Sequence, residues 1–436
     1  MKTKDIGIYT SKFRYLVILA GLSILTCLRY PVYLTTPNFY AEDGTEFFQN
    51  ANENGLLGVL HTFNGYPIVG MRLMANVAYY FSLFPITKNL QVTAISFALV
   101  SYFFWSLLSF CTWLVLRKYV SNSLSILGSS LVLLTPLNGW NYAILGTIGN
   151  VKFGFLYIAF LLLLNRWKES KWTNFSKLVY VLCFLTNPIS IILLPGFVYS
   201  FDKKHFTITK FERYFVGILT ITTLIIIYYA EKYPLPSNYS EGEWDFSKLI
   251  EVTMGRTLFF PFSSSLYQSY SELLFLLISL TIASILYVFP NKNLRYFIFG
   301  VITSTTVSLI TVYSRGGISV FYNDYLDPGP AQFFYAQNMM VVTSLIILIG
   351  GWKPLKKIIP GHLVALYVFL ALLFLVFNIR GIGFNGLGEN GKWQTEKGSI
   401  NQNLLQLCDK RTPAVVDIPI MPGDPWVLSM PRRDVC

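Results

Sequence analysis

The chain has 436 residues, 53% of them hydrophobic, 17% aromatic and only 13% charged, with a formal net charge of +12 and a mean hydropathy of +0.50. A soluble domain carries about twice that share of charge, so a water-soluble globule is excluded. The basic excess lies in short connections between apolar runs, where it orients a membrane protein, so nucleic acid is excluded as the partner it would otherwise suggest.

Lipid tolerates only backbone that satisfies its own hydrogen bonds, and a spanning helix needs ~20 apolar residues. Such runs predict an all-α, polytopic membrane protein. They place about nine spanning helices, near residues 15–34, 92–116, 121–137, 152–165, 212–229, 272–290, 296–313, 334–352 and 361–379. The first run follows Lys2, Lys4, Lys12 and Arg14 and has no small-residue cleavage site after it, which predicts a retained helix and not a signal peptide. Residues 35–91 form a large outward loop, in which 66–85 is a semi-apolar helix lying on the outer interface. Within 177–199 the run is broken by Thr186-Asn187-Pro188. Proline cannot donate to the helix ladder and disfavours helix in the residue before it. This stretch therefore reads as a re-entrant hairpin of two half-helices that enters and leaves on one side.

With the N-terminus inside, 19 of the 34 Lys and Arg fall on the inner side with only Asp5, Glu169, Asp202 and Glu212 among the acids. That asymmetry is the usual mark of orientation. A topology in which 66–85 spans and 177–199 crosses once would move Arg117, Lys118 and the bases from Arg166 to Lys177 outside, and is rejected for that reason. The longer connections, 35–91, 138–151, 230–271, 314–333 and the tail 380–436, all face outward. The chain thus divides into a membrane domain, 1–379, and an outer tail, 380–436. In the tail, Val415-Val416-Asp417-Ile418-Pro419-Ile420 alternates like a short strand. Cys408 and Cys436 can pair if the tail meets an oxidising compartment, although sequence does not fix their separation. Cys27, Cys111 and Cys183 sit in apolar helices as small core residues.

Chemistry concentrates in Asn38-Phe39-Tyr40-Ala41-Glu42-Asp43-Gly44-Thr45-Glu46. One reading is structural: Asp43 with Glu46 three residues on has the spacing of a capping box for a helix over 45–52. The other is catalytic, since a carboxylate at the membrane surface can deprotonate an acceptor hydroxyl. The same loop supplies Asn64, Tyr66, His61 and Arg72. Arginine at this depth either snorkels or binds phosphate through its planar fork. Lys152 follows the turn Gly146-Thr147-Ile148-Gly149-Asn150, and Arg256 and Arg315 lie in later outer loops. Several outward bases suit an anionic lipid phosphate, and each also reads as a solvated interface charge. Nucleotide-driven transport has no phosphate-binding loop here, and no Cys or His cluster has zinc spacing. The spans hold few ionisable groups, which argues against proton-coupled transport.

The run Phe39-Tyr40-Ala41-Glu42-Asp43-Gly44, then Phe47-Phe48, Gly55, Asn64-Gly65-Tyr66 and Arg72-Leu73, resembles the GT-C fold glycosyltransferases of bacteria. In particular it is similar to the integral-membrane, serotype-converting O-antigen glucosyltransferases. The motif likeness covers mainly residues 38–75, and the rest agrees in layout. The resemblance implies a multi-pass protein of the bacterial inner membrane with a cytoplasmic N-terminus and a periplasmic tail. Its donor would be glucose on undecaprenyl phosphate and its acceptor a sugar hydroxyl of lipid-linked O-antigen, with membrane lipids around both. Transfer would invert the anomeric centre, with Asp43 as general base and Glu42 as its alternate or orienting partner. Arg72, Lys152, Arg315 and Arg256, with Tyr66 and Asn64, are candidates for phosphate or substrate on their chemistry, not on a matched motif. Glu42 and Asp43 leave a divalent metal open, with no further ligand in view. The competing functions are a flippase or other transporter of lipid-linked sugar and an O-antigen polymerase.

Overall fold

The structure, a computed structural model, describes residues 3–63, 65–83, 89–135, 141–169, 172–198, 208–232, 249, 252–259, 292–314, 331–350, 399–408, 414–421 and 426–436. Helices dominate, as the apolar runs require. The expected spans at 272–290 and 361–379 lie outside the described residues. The other seven fall on helices, and proline decides where two of them stop. Thr3–Arg29 ends at Arg29 and not at residue 34, because the next residue, Tyr30, precedes Pro31. A separate turn, Val32–Thr35, restarts beyond it. Asn122–Leu133 likewise ends ahead of Pro136. At ~1.5 Å per residue, its 12 residues are too short to cross a bilayer alone. Among the described residues, three helices are long and apolar enough to cross a membrane: Leu90–Leu116, Asn293–Tyr313 and Gln332–Gly350. On the first, the exposed Leu99, Phe103 and Leu107 recur at the spacing of one helix face.

Side-chain contacts sort the helix ends into two groups. At one end Lys118 pairs with Glu169 at 2.5 Å, and Lys168 lies over the Tyr119 ring at 4.4 Å. Tyr119 packs edge-on against Tyr296 at 5.1 Å, and Lys177 pairs with Glu212 at 3.7 Å. Bases that the sequence assigns to one side of the membrane therefore gather at one end of the bundle. At the other end Arg29 is fully buried. Its guanidinium donates to the carbonyls of Leu133 and Thr135 and to the Tyr335 hydroxyl, so one cation ties together the ends of three helices.

The helix breaks at Thr186-Asn187-Pro188, as the proline requires. Asn174–Phe184 stops there, the Asn187 side chain accepts from the Ile189 amide at 3.3 Å, and the turn Pro188–Leu193 leads into Leu194–Val198. Trp172 stacks on Phe197 at 4.6 Å, and the Tyr180 hydroxyl donates to the Ser190 carbonyl at 2.8 Å. The second arm thus returns beside the first, as a hairpin must. Its tip supports the start of Val69–Ser82, because Thr186 Oγ1 accepts from the Gly70 amide at 2.8 Å and the Leu185 carbonyl accepts from the Val69 amide at 3.1 Å.

The semi-apolar helix, Val69–Ser82, packs one face against the rest of the protein. It starts against Thr186 and Phe155 and leads to Tyr79, which packs on Phe48 at 6.2 Å. Phe48 in turn meets Phe97 of Leu90–Leu116. Met71, Arg72, Ala75, Asn76 and Ala78 are buried, while Leu73, Val77, Tyr80 and Phe81 are exposed. The buried stripe has helical spacing and includes an arginine, which makes this helix part of the site.

The tail forms an antiparallel pair, Val415–Pro419 with Val427–Pro431, preceded by Ile400–Cys408. Cys408 and Cys436 are disulfide-bonded, with Cα atoms 5.7 Å apart. The sequence separation of 28 residues implies about 3–4 kcal/mol of chain-entropy stabilisation for the tail. Serine at both cysteines is therefore expected to sensitise the tail to limited proteolysis while leaving the melting of the helical bundle nearly unchanged. Equal protease resistance of the two forms would show that the bridge adds nothing.

Candidate functional site

The acidic motif begins with a sharp reversal. Ala41 has φ of 39° and is the one non-glycine residue with positive φ among the described residues. L-residues rarely take this left-handed conformation, and it costs ~1–2 kcal/mol. The reversal brings the Asp43 amide to the Tyr40 carbonyl at 2.7 Å and opens a π-helical segment, Asp43–Phe48. Such segments are rare and occur often at functional sites.

The reversal drives Asp43 into the protein, where it is 2% exposed. Its Oδ2 accepts from the Ile148 amide at 2.9 Å and its Oδ1 from the Gly149 amide at 2.7 Å. These amides belong to the turn that opens the helix Val151–Lys168, where unpaired N–H groups and the helix dipole favour an anion. Gly149 is needed for the close approach: a Cβ there would stand 3.2 Å from Asp43 Oδ1. Burial raises the Asp43 carboxyl to about 7, against the two amide bonds that lower it, and neighbouring Glu42 adds to the rise. The capping-box reading fails in this form. Asp43 instead bonds the turn that precedes a helix more than a hundred residues away, and Glu46 turns elsewhere.

Glu46 approaches Arg72, with Oε2 3.9 Å from Nη2. Burial pushes the Glu46 carboxyl up, Arg72 opposes that, and Glu42 reinforces it. The Arg72 side chain is 3% exposed. Its Nε donates to the His61 carbonyl at 3.0 Å, its guanidinium lies 5.8 Å from the Phe47 ring centre, and Nη1 has no partner among the described residues. A buried guanidinium with an unmet donor is costly, and a phosphate oxygen would satisfy it well. Phe47 connects the two halves of the site, since a Cβ on Gly149 would also lie 3.5 Å from that ring. Glu42 is half-buried and makes no hydrogen bond or ion pair among the described residues. It is the carboxylate left open.

Lys152 is half-buried on the first turn of Val151–Lys168. Its carbonyl accepts from Asn187 at 3.2 Å, which joins the hairpin tip to the same helix start. Tyr66 pairs with Phe63 in the small hairpin that leads into the helix bearing Arg72. Arg256 is buried in a different place, on the segment Gly255–Phe259. There Thr257 bonds Ser308 at 2.6 Å, and the Asn338 amide, oriented to donate, reaches the Arg256 carbonyl at 2.7 Å. Asn64 and Arg315 lie outside the described residues. His61 has its ring met by Asn50 at 2.9 Å.

A divalent cation does not fit this donor set. Such ions want about six oxygens, and the oxygens of Asp43 already face N–H donors. Among the described residues, no three His, Cys, Asp or Glu side chains gather as a metal group.

The raised Asp43 carboxyl fixes the sign of a pH effect. The folded protein keeps this proton up to about pH 7, whereas the unfolded chain loses it near 3.8. The associated stability is therefore complete below the lower value and is lost as pH rises through the upper one. Native protein is expected to melt several degrees lower at about pH 8 than at about pH 5, and Asp43→Asn is expected to remove most of that slope. Asp43→Ala strands two buried amides at roughly 1–3 kcal/mol each and lowers the melting temperature at every pH. An unchanged slope in Asp43→Asn would assign the effect to other groups.

No protein-family model matches the chain, and no curated protein matches it.

Proposed function

We propose that this protein is a multi-pass glycosyltransferase of the bacterial inner membrane. It moves a glucosyl unit from undecaprenyl-phosphate-glucose to a hydroxyl of an O-antigen repeat sugar. The observation that carries the proposal is the grouping of an open carboxylate, Glu42, a buried carboxylate, Asp43, and a buried arginine with an unmet donor, Arg72. They lie at the end of the bundle opposite the gathered bases, and the basic excess of the inner connections supports reading that end as the outer one.

The division of labour follows from access. A general base must reach the hydroxyl it deprotonates. Asp43 has little access and both of its oxygens are engaged, so its part is to fix the motif on the helix start. Glu42 takes the hydroxyl proton, which reverses the order that the sequence suggests. The freed oxygen attacks the anomeric carbon from the face opposite the phosphate. The bond to the phosphate oxygen breaks, its electron pair leaves with polyprenyl phosphate, and the configuration inverts. Negative charge grows on that phosphate, where Arg72 Nη1 supplies an unpaired donor and a preorganised positive charge. Lys152, at the same helix start, is the second cation for the headgroup.

Purified protein with polyprenyl-phosphate-glucose and an O-antigen acceptor tests the assignment. Glu42→Gln is expected to lower transfer by about 10²- to 10⁴-fold, the usual worth of a positioned base. Asp43→Asn should retain far more, because an amide oxygen still accepts from Ile148 and Gly149. Full transfer by Glu42→Gln removes it as the base. Movement of the lipid-linked sugar across vesicles with no transfer by the native protein would instead favour a flippase.

A further inference from the structure

The C-terminal tail touches the motif at its most strained point. Met421 donates to the Phe39 carbonyl at 3.0 Å, and the Ala41 amide donates to the Met421 carbonyl at 2.5 Å. Tyr40 and Met421 are thereby bridged in parallel. Ile420, fully buried, lies over Gly44, where a Cβ would meet its Cδ1 at 2.7 Å. Further along, the Gln49 side chain donates to the Ser429 carbonyl at 3.1 Å. On the other side of the motif, the Ile400 amide donates to the Pro37 carbonyl at 3.0 Å. The tail therefore grips the loop on both sides of the reversal and at the reversal itself.

A left-handed alanine persists only where its surroundings over-determine it. The bonds made by the Ala41 amide and the Phe39 carbonyl bracket that residue, and the tail supplies both partners. We propose that Ile420 and Met421 form a positioning clasp: the docked tail holds Ala41 left-handed, which seats Asp43 on the Ile148 and Gly149 amides and leaves Glu42 facing outward. Without the tail, Ala41 relaxes to an ordinary conformation and the carboxylate pair turns away from the helix start. This inference is independent of the reaction, because it concerns the shape of the motif and not what the motif transfers.

Hydrogen exchange on the full chain in detergent reads the clasp directly, since the amides of Ile148 and Gly149 are distant in sequence from the tail and bonded to Asp43. Ile420→Asp places a charge in the buried contact and is expected to speed exchange at both amides about tenfold, the scale set by one left-handed alanine. Amides within Leu90–Leu116 should not change. Adding Ala41→Gly is expected to restore most of the protection, because glycine takes positive φ without penalty. A tail that merely stabilised the protein in general would show no such rescue. Should Ile420→Asp disturb the control helix too, the serine pair at Cys408 and Cys436 loosens the tail more gently and gives the same comparison. Unchanged exchange at Ile148 and Gly149 overturns the clasp, and so does faster exchange that Ala41→Gly fails to restore.

Discussion

The contact between the Asp43 carboxylate and the amides of Ile148 and Gly149 is the constraint on which the site depends. It joins the segment after the first helix to the turn before Val151–Lys168 across more than a hundred residues, and it uses groups that each side must satisfy anyway. A buried turn ahead of a helix has amides that need partners, and a buried carboxylate must accept hydrogen bonds or lose its charge. Each deficit answers the other. The pairing also fixes direction. Once Asp43 points inward, Glu42 beside it stays half-buried and Glu46, one turn on, approaches Arg72.

The scaffold brings three other elements to that helix start. Asn187 at the hairpin tip reaches the Lys152 carbonyl, Thr186 holds the first turn of the helix bearing Arg72, and Phe47 fills the space between Gly149 and Arg72. Arg29 works similarly nearby, gathering carbonyls at the end of Asn122–Leu133 while touching Tyr335. A buried cation bonded to helix-end carbonyls is the mirror image of a buried carboxylate bonded to helix-start amides. Both devices use the partial charges of helix termini in place of an opposite side-chain charge.

The long elements were legible in the sequence because bilayer thickness and proline both write local rules. Apolar length located the described helices, and Thr186-Asn187-Pro188 announced the hairpin. Pro31 and Pro136 also carried their message, and reading the apolar runs through them made two spans too long. The alternation from Val415 to Ile420 foretold a strand, whereas its partner Val427–Pro431, of the same length, was not read from the sequence. The site was half legible. Its residue types stood out, and so did the turn Gly146-Thr147-Ile148-Gly149, but their meeting did not, because a tertiary hydrogen bond leaves no periodicity. The capping box misled for a physical reason: Asp43 does satisfy backbone amides, only those of the turn before another helix. A glycine turn opening an apolar helix, with a carboxylate unassigned elsewhere, is the signal that would have suggested the pair. Arg29 was read as part of an apolar run, and nothing nearby marks it as buried.

Strain and burial point in one direction in this loop. The left-handed Ala41, the π-helical turn, the carboxyl raised to about 7 and the unmet donor of Arg72 each cost stability, and all fall within one short loop and the helix behind it. A segment with a purely structural duty gains nothing from holding four such costs together, since a serine or asparagine at the helix start would bond the same amides without a buried charge. Strain of this kind persists where surrounding structure enforces it, and here the enforcement comes from three separate parts of the chain. The hairpin tip, the start of Val151–Lys168 and the disulfide-closed tail all converge on it. That convergence is costly to assemble for packing alone, and it is what a site requires if one carboxylate must stay open to a substrate while its neighbour stays shut.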